Sequence, residues 1–444
     1  MLTPLLSEED PVASSEGSLD PLGLYQIADS LAVRLVPGVR QRQQHPRFLT
    51  ASAVSLAVCS QFDEDTFAKD GVSEPWQVFE WYLVEGLVRA VKEKERLSGL
   101  PGRDKVARTI NDQVPLSAKR YLKTPTVFGF HGVYRLLSRT LRINAAGRLG
   151  DAGYELLDVW RAEQKLRGFY ELAEGDGQQG YRLLVDVVKA GVAQGAVARS
   201  TSWNGWQFMA DHLCHTDVGP KEARMLAGFL LSDQDGNGNR KALLQFLISP
   251  EGQNICNALR DRNARDKIWP EREFHVALAK QADSSLGLLL AAILSYETFA
   301  RVLQDAFDDC LYEMSMQRGK TPPSILAKQK NVLRAVKKIP DLLAKTADAL
   351  APFGLSVRFQ ELFGILAERT TPEGWTHILL EHHKNVQMAK PPCGKAPWFE
   401  RMDDGRCVIR PAYLRDNGGR GDESYVHSYR VAPLWSFATD LRLL

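Results

Sequence analysis

Apolar positions recur at helical intervals through most of this chain. Residues 22–36 (LGLYQIADSLAVRLV) place Leu24, Ile27, Leu31 and Leu35 three or four apart, and Pro37-Gly38 closes the helix they predict. The same reasoning predicts a second apolar helix over 48–62 and a third over 76–94, whose aromatics read as core. From 181 to about 366 the helical pattern continues. It is broken at Asn204-Gly205, Gly236-Asn237-Gly238, Pro250-Glu251-Gly252, Trp269-Pro270 and Pro322-Pro323. Ile325, Val332, Val336, Ile339 and Leu343 keep one face, with Pro340 expected to kink or split that helix. No repeat of fixed period is present, which argues against a regular solenoid.

Strand patterns are confined to the end of the chain. Pro391, Pro392, Pro397 and Pro411 interrupt it, and residues 407–410 and 425–431 are predicted to pair as short strands before a helix or tail near 435–444. The fold class expected is mainly α: a multi-domain helical protein with an embedded winged-helix-like module and a small β-containing C-terminal appendage. The parts expected are an acidic tail (1–20), a helical domain (21–167) containing the module (103–160), a glycine-rich linker or long loop (168–180), a second helical domain (181–370) and the appendage (371–444).

Composition adds bounds. At 444 residues, two or three domains are expected. A hydrophobic fraction of 44% with 25% charged residues is that of an ordinary globular chain. The six cysteines (59, 214, 256, 310, 393 and 407) lie far apart with no CxxC pair, which suits free thiols in a reducing compartment. The first twenty residues carry acids and no Lys or Arg, unlike a signal peptide. The apolar run 286–294 falls short of the roughly 20 residues that cross a bilayer. A cytoplasmic protein without membrane contact is the expectation.

Net charge is only +2, yet residues 103–148 hold ten basic residues against Asp104 and Asp112, a local formal charge of +8. Clustered cations are what phosphate binding requires. The order of predicted elements resembles a winged helix: a first helix at 106–112, a short second at 116–122, a turn at 123–126, a longer third at 132–141, a hairpin at 143–149 and a resumed helix from 151. Arg135, Arg139 and Arg142 fall at i, i+4 and i+7, on one face of the third helix. Arg148 sits on the hairpin, and Lys119, Arg120 and Lys123 flank the second helix. These seven are the expected nucleic-acid contacts, with double-stranded DNA the expected partner. A solvated face, or an acidic protein partner, remains the alternative reading of the same residues.

Other motifs carry less. Asp233, Asp235 and Asn237 with Gly238 match the first half of an EF-hand loop, but position twelve is Leu244, not a bidentate Glu. His377, Glu381, His382 and His383 match neither HExxH nor HxxEH; a zinc site from His382 or His383 with Cys393, Cys407 and His427 is conceivable at non-standard spacing. His212, Cys214 and His215 lack further ligands. Asp158, Glu163 and Lys165 have a nuclease-like composition but fall on a helix. Neither GxxxxGK[ST] nor GxSxG is present, so no cofactor and no catalytic residue is expected.

Finally, Leu22–Phe48, containing Pro37-Gly-Val-Arg-x-Arg42 and Pro46-Arg-Phe48, resembles the opening of uncharacterised bacterial proteins from phage-defence gene neighbourhoods. The resemblance implies a subunit that acts beside helicases or nucleases. The function expected is therefore a non-enzymatic DNA-binding or adaptor subunit with protein partners in a larger complex. The alternatives are an interaction scaffold whose basic face meets an acidic partner, such as the chain's own segment 8–20, and an enzyme or metal site in the His/Cys/Lys-rich C-terminal region.

Overall fold

The computed structural model describes residues 20–170, 175–232, 238–262, 271–317, 319–391 and 394–444. The chain is mainly α-helical, with two small two-stranded antiparallel sheets among the described residues. Proline sets many helix starts. Pro75, Pro125, Pro220, Pro250, Pro323 and Pro372 each open a helix, where the missing N–H costs nothing. The breaks read from the sequence at 204–205, 250–252 and 322–323 all mark helix starts: Gly205–Leu213, Pro250–Arg262 and Pro323–Leu326. The Lys330–Leu350 helix runs unbroken through Pro340, which loses one backbone hydrogen bond without ending it.

Two compact units form. One gathers Met1–Leu35 with Ile255–Tyr429, and the other Val36–Asn254 with Arg430–Leu444. The expected linker 168–180 is helical from Asp176, where Gly177 and Gly180 lie buried in the Asp176–Gln194 helix; residues 171–174 lie outside the described residues.

In the first unit, the 34-residue helix Ser284–Gln317 packs along Lys330–Leu350. Val332, Ala335, Ile339, Leu343, Ala347 and Leu350 form the buried stripe of the latter. The longer helix has the length and composition to cross a bilayer, and 72% of its most apolar window is buried within the protein. It also carries Glu297, Arg301, Asp305 and Asp309, all buried. These acids decide the fate of the C-terminal segment. Asp309 accepts the Gly419 N–H at 2.8 Å, Asp305 accepts those of Arg420 and Gly421 at 3.1 Å, and Glu297 accepts that of Val426 at 2.6 Å. Glu271 accepts the Tyr429 N–H. Residues 425–431 were expected to form a strand with 407–410. The N–H groups of Val426, His427 and Tyr429 go to helix carboxylates instead, and Cys407–Ile409 pairs with Phe399–Arg401.

In the second unit, Pro75–Ala90 is buried along nearly its whole length, against Gly205–Leu213 and Asp176–Gln194. Close approach needs glycine here. A Cβ on Gly191 would lie 2.5 Å from Val78, and one on Gly86 3.0 Å from Met209. Phe48–Cys59 packs on Asp151–Glu163 and on Phe130–Thr140. Beside it, the Arg47 guanidinium reaches Glu222 at 3.1 Å with both side chains buried, and donates to the Cys214 carbonyl at 2.5 Å.

Candidate nucleic-acid interface

The basic segment lies within the second unit, and its elements follow the expected order with one exception. Arg103–Asn111 is the first helix and Phe130–Thr140 the long one. Asn144–Ala145 pairs with Arg148–Leu149 as the hairpin, followed by the helix Asp151–Glu163. The exception is 116–122, expected as a helix. There the Leu116 carbonyl accepts the Val197 N–H at 2.8 Å, so the chain turns once at Ser117, whose carbonyl takes both Arg120 and Tyr121 N–H at 2.9 Å. A single helical turn, Pro125–Phe128, forms where a turn was expected.

The long helix divides cleanly. Phe130, Val133, Tyr134, Leu137 and Ser138 are buried, whereas Arg135 and Arg139 are exposed on the opposite side. Arg142 follows just beyond, exposed and in the left-handed region at φ 57°. Its N–H reaches the Arg139 carbonyl, while Ile143 N–H returns to Ser138 at 2.9 Å, closing the helix end. None of these three arginines has an ion-pair partner among the described residues. Arg148 is also exposed and pairs with exposed Glu64 at 2.9 Å. Lys119, Arg120 and Lys123 are exposed on and beyond the turn.

Two exposed arginines outside the 103–148 segment stand on a loop beside the long helix. Loop residues 38–44 run beside the long helix: Gly38 lies against Leu137 and Thr140 near its end, and Gln43 Nε2 donates to the Val133 carbonyl at 2.9 Å. At its start, the Arg42 guanidinium lies over the Phe128 ring, 4.5 Å from the centroid. Arg40 is exposed between them. The available signal was the Arg-x-Arg spacing at 40–42, but nothing local connects it to residues ninety positions later. Arg47, from the same stretch, is buried in its pair with Glu222.

One buried acid ties the basic elements together. Glu80, fully buried, accepts Tyr121 Oη–H at 2.8 Å on one oxygen. Its other oxygen accepts His131 N–H at 3.1 Å and faces His131 Nδ1 at 2.8 Å. Tyr121 belongs to the turn and His131 to the first turn of the long helix. Burial, then the Glu80 charge, pushes the Tyr121 phenol well up, which keeps it a donor. Gly129 is required beside this acid, because a Cβ there would lie 2.0 Å from a Glu80 oxygen.

The remaining motifs resolve into structural roles. Glu163 caps the Pro220–Leu230 helix, accepting Lys221 and Glu222 N–H at 2.6 and 2.9 Å, and Asp158 pairs with Arg161. His212 Nδ1 faces Gln164 at 2.9 Å, and buried His215 stacks on Phe48 with its pKa lowered to about 3 by burial. His382 Nε2 lies 2.8 Å from the Leu22 carbonyl. His383 Nδ1 faces the Pro21 carbonyl, and its Nε2 accepts Trp398 N–H at 3.0 Å. Both rings are engaged by backbone. His427 Nδ1 is held by Glu297 at 2.7 Å. Among the described residues no group of three His, Cys, Asp or Glu is placed to hold a metal ion; Cys393 and the Asp233–Asn237 part of the EF-hand-like loop lie outside them. No family model, curated protein or solved structure matches the chain.

Proposed function

We propose that this chain is a non-enzymatic DNA-binding or adaptor subunit that holds double-stranded DNA on the face built around Arg135, Arg139 and Arg142. The observation that carries the reading is their disposition: all three exposed, Arg135 and Arg139 on one side of a helix whose other side is core and Arg142 just past its end, with no ion-pair partner among the described residues. A cation left without a partner on a fixed scaffold is one a phosphate can recruit, with release of counterions. Lys119, Arg120, Lys123 and Arg148 are further exposed cations of the same segment, and Arg40 and Arg42 are exposed on the loop beside the long helix. The resemblance of residues 22–48 to proteins of phage-defence neighbourhoods supports a setting beside helicases or nucleases, in a larger complex.

A mobility-shift titration on duplex DNA at several salt concentrations tests this. The wild type is expected to bind with a steep salt dependence, and a triple charge reversal (Arg135→Glu, Arg139→Glu, Arg142→Glu) to lose affinity and flatten the slope by roughly three phosphate contacts. No shift of the wild type at low salt sinks the reading. A second reading, an acidic protein partner, is favoured by two observations. Arg148 already takes a carboxylate from Glu64, and Val127 and Leu136 are exposed among the cations at 53% and 38%. Saturating binding of an acidic protein without any DNA shift would select it.

A further inference from the structure

We infer that the face engages duplex DNA through its phosphates and without base-sequence preference. This rests on the DNA-binding reading above and deepens it. The recognition helix of a helix-turn-helix or winged-helix arrangement contacts base edges from its N-terminal residues, which must project into the major groove. Here the first turn of Phe130–Thr140 is closed. Phe130 and Val133 are buried at 0% and 6% exposure. His131 is half-buried and engaged by Glu80 through both its N–H and its Nδ1. Gly132 lies so close to the Pro125–Phe128 turn that a Cβ would fall 2.4 Å from Thr126 backbone. That turn covers the end of the helix, and the helix-terminal N–H of His131 is occupied by the protein's own carboxylate. Neither a base edge nor a phosphate can take that place.

What remains exposed is the other half. Arg135 and Arg139 stand about 6 Å apart along the axis, at 1.5 Å per residue. Arg142 lies past the helix end, and Leu136 is the exposed apolar residue among them. The hairpin tip adds no reader. Ala145, Ala146 and Gly147 carry no hydrogen-bonding side chain, and the Asn144 carboxamide oxygen is turned back onto the Gly147 N–H at 2.9 Å. Arg148 is the hairpin's cation, and it lies behind the tip. Cations set along the rear of a helix, and a tip of small residues, match a backbone that is the same for every sequence.

The test uses the full chain and labelled duplexes of equal length: one A·T only, one G·C rich and several random. The affinities are expected to agree within about tenfold, with parallel dependences of log Kd on log salt. Selection from a random duplex pool is expected to enrich no motif. A motif enriched in the pool, or a duplex bound more than about tenfold tighter than the rest, the cost of a single misread base pair, overturns the inference while leaving DNA binding intact. Failure of every duplex to shift at low salt overturns the DNA-binding reading itself, and this inference with it.

Discussion

Glu80 and His131 are 51 positions apart in the chain, yet a Glu80 oxygen lies 2.8 Å from His131 Nδ1 and 3.1 Å from its backbone nitrogen. Through this contact, and through Tyr121 on the other oxygen, a helix of the core fixes both the turn that carries Lys119 and Arg120 and the start of the helix that carries Arg135 and Arg139. The geometry of the basic face therefore depends on a residue that no ligand can touch.

Glu80→Ala removes the acceptor from three donors in a dry site. A cost of about 1–3 kcal/mol for each donor left unsatisfied is expected. Glu80→Gln is expected to lose much less. Its oxygen can stay on His131 while its amide donates to the Tyr121 oxygen. Denaturant midpoints of the two variants check the order. A Gln variant as unstable as the Ala variant would show that the charge, rather than the hydrogen bonds, matters.

Two arginine–carboxylate pairs in the second unit should differ sharply. Arg47 and Glu222 are 2% and 0% exposed, so Arg47→Ala strands a buried carboxylate and is expected to cost about 3–5 kcal/mol. Arg148 and Glu64 are 80% and 87% exposed, and Arg148→Ala is expected to change stability by less than about 1 kcal/mol. Chemical denaturation of both variants reads the difference directly.

Arg142 occupies a left-handed conformation at φ 57°, which glycine adopts freely and other residues do not. Arg142→Gly is therefore expected to hold or raise stability, by up to about 1 kcal/mol, while weakening DNA binding and lowering the salt slope by about one contact. A loss of stability would mean that the arginine side chain packs, and does not merely wait for a ligand.

Burial lowers the pKa of His275 to about 3. Its folded pKa is thus below the unfolded value near 6.5, and folding keeps it neutral. The associated stability is complete above about pH 6.5 and is lost as pH falls towards 3, because only the unfolded chain takes up the proton. The slope contributed is about 1.4 kcal/mol per pH unit in that window. His275→Phe, among Phe274, Tyr425 and Tyr429, is expected to reduce the acid sensitivity of stability between pH 6 and pH 4. Stability measured against pH for both proteins decides it; identical curves would contradict the assignment.

The amino-acid sequence by itself determined the helices, because burial of one side of a helix imposes a spacing that nearby residues report. Ile27, Leu31 and Leu35 are all buried for this reason in Tyr25–Leu35, with Leu24 buried just before it. It determined the exposure of Arg135 and Arg139 on one side of their helix by the same local rule, and the hairpin through the turn at Ala146-Gly147, both at positive φ; Arg142, expected on the same helical face, lies past the helix end in the left-handed region. The tertiary structure alone decided what distant groups compete for. Leu116–Leu122 has helical spacing, but the Leu116 carbonyl is claimed by Val197. Residues 425–431 alternate like a strand, but Glu297 and Glu271 take their N–H groups from more than a hundred positions away. Arg42 lies over Phe128 only because the fold brings its loop against the long helix, where Gln43 donates to Val133, and Glu80 acts only because folding brings Tyr121 and His131 to its two oxygens. Periodicity records which side of an element is buried. It carries no record of which buried polar group will be waiting there, and those pairings shaped the site.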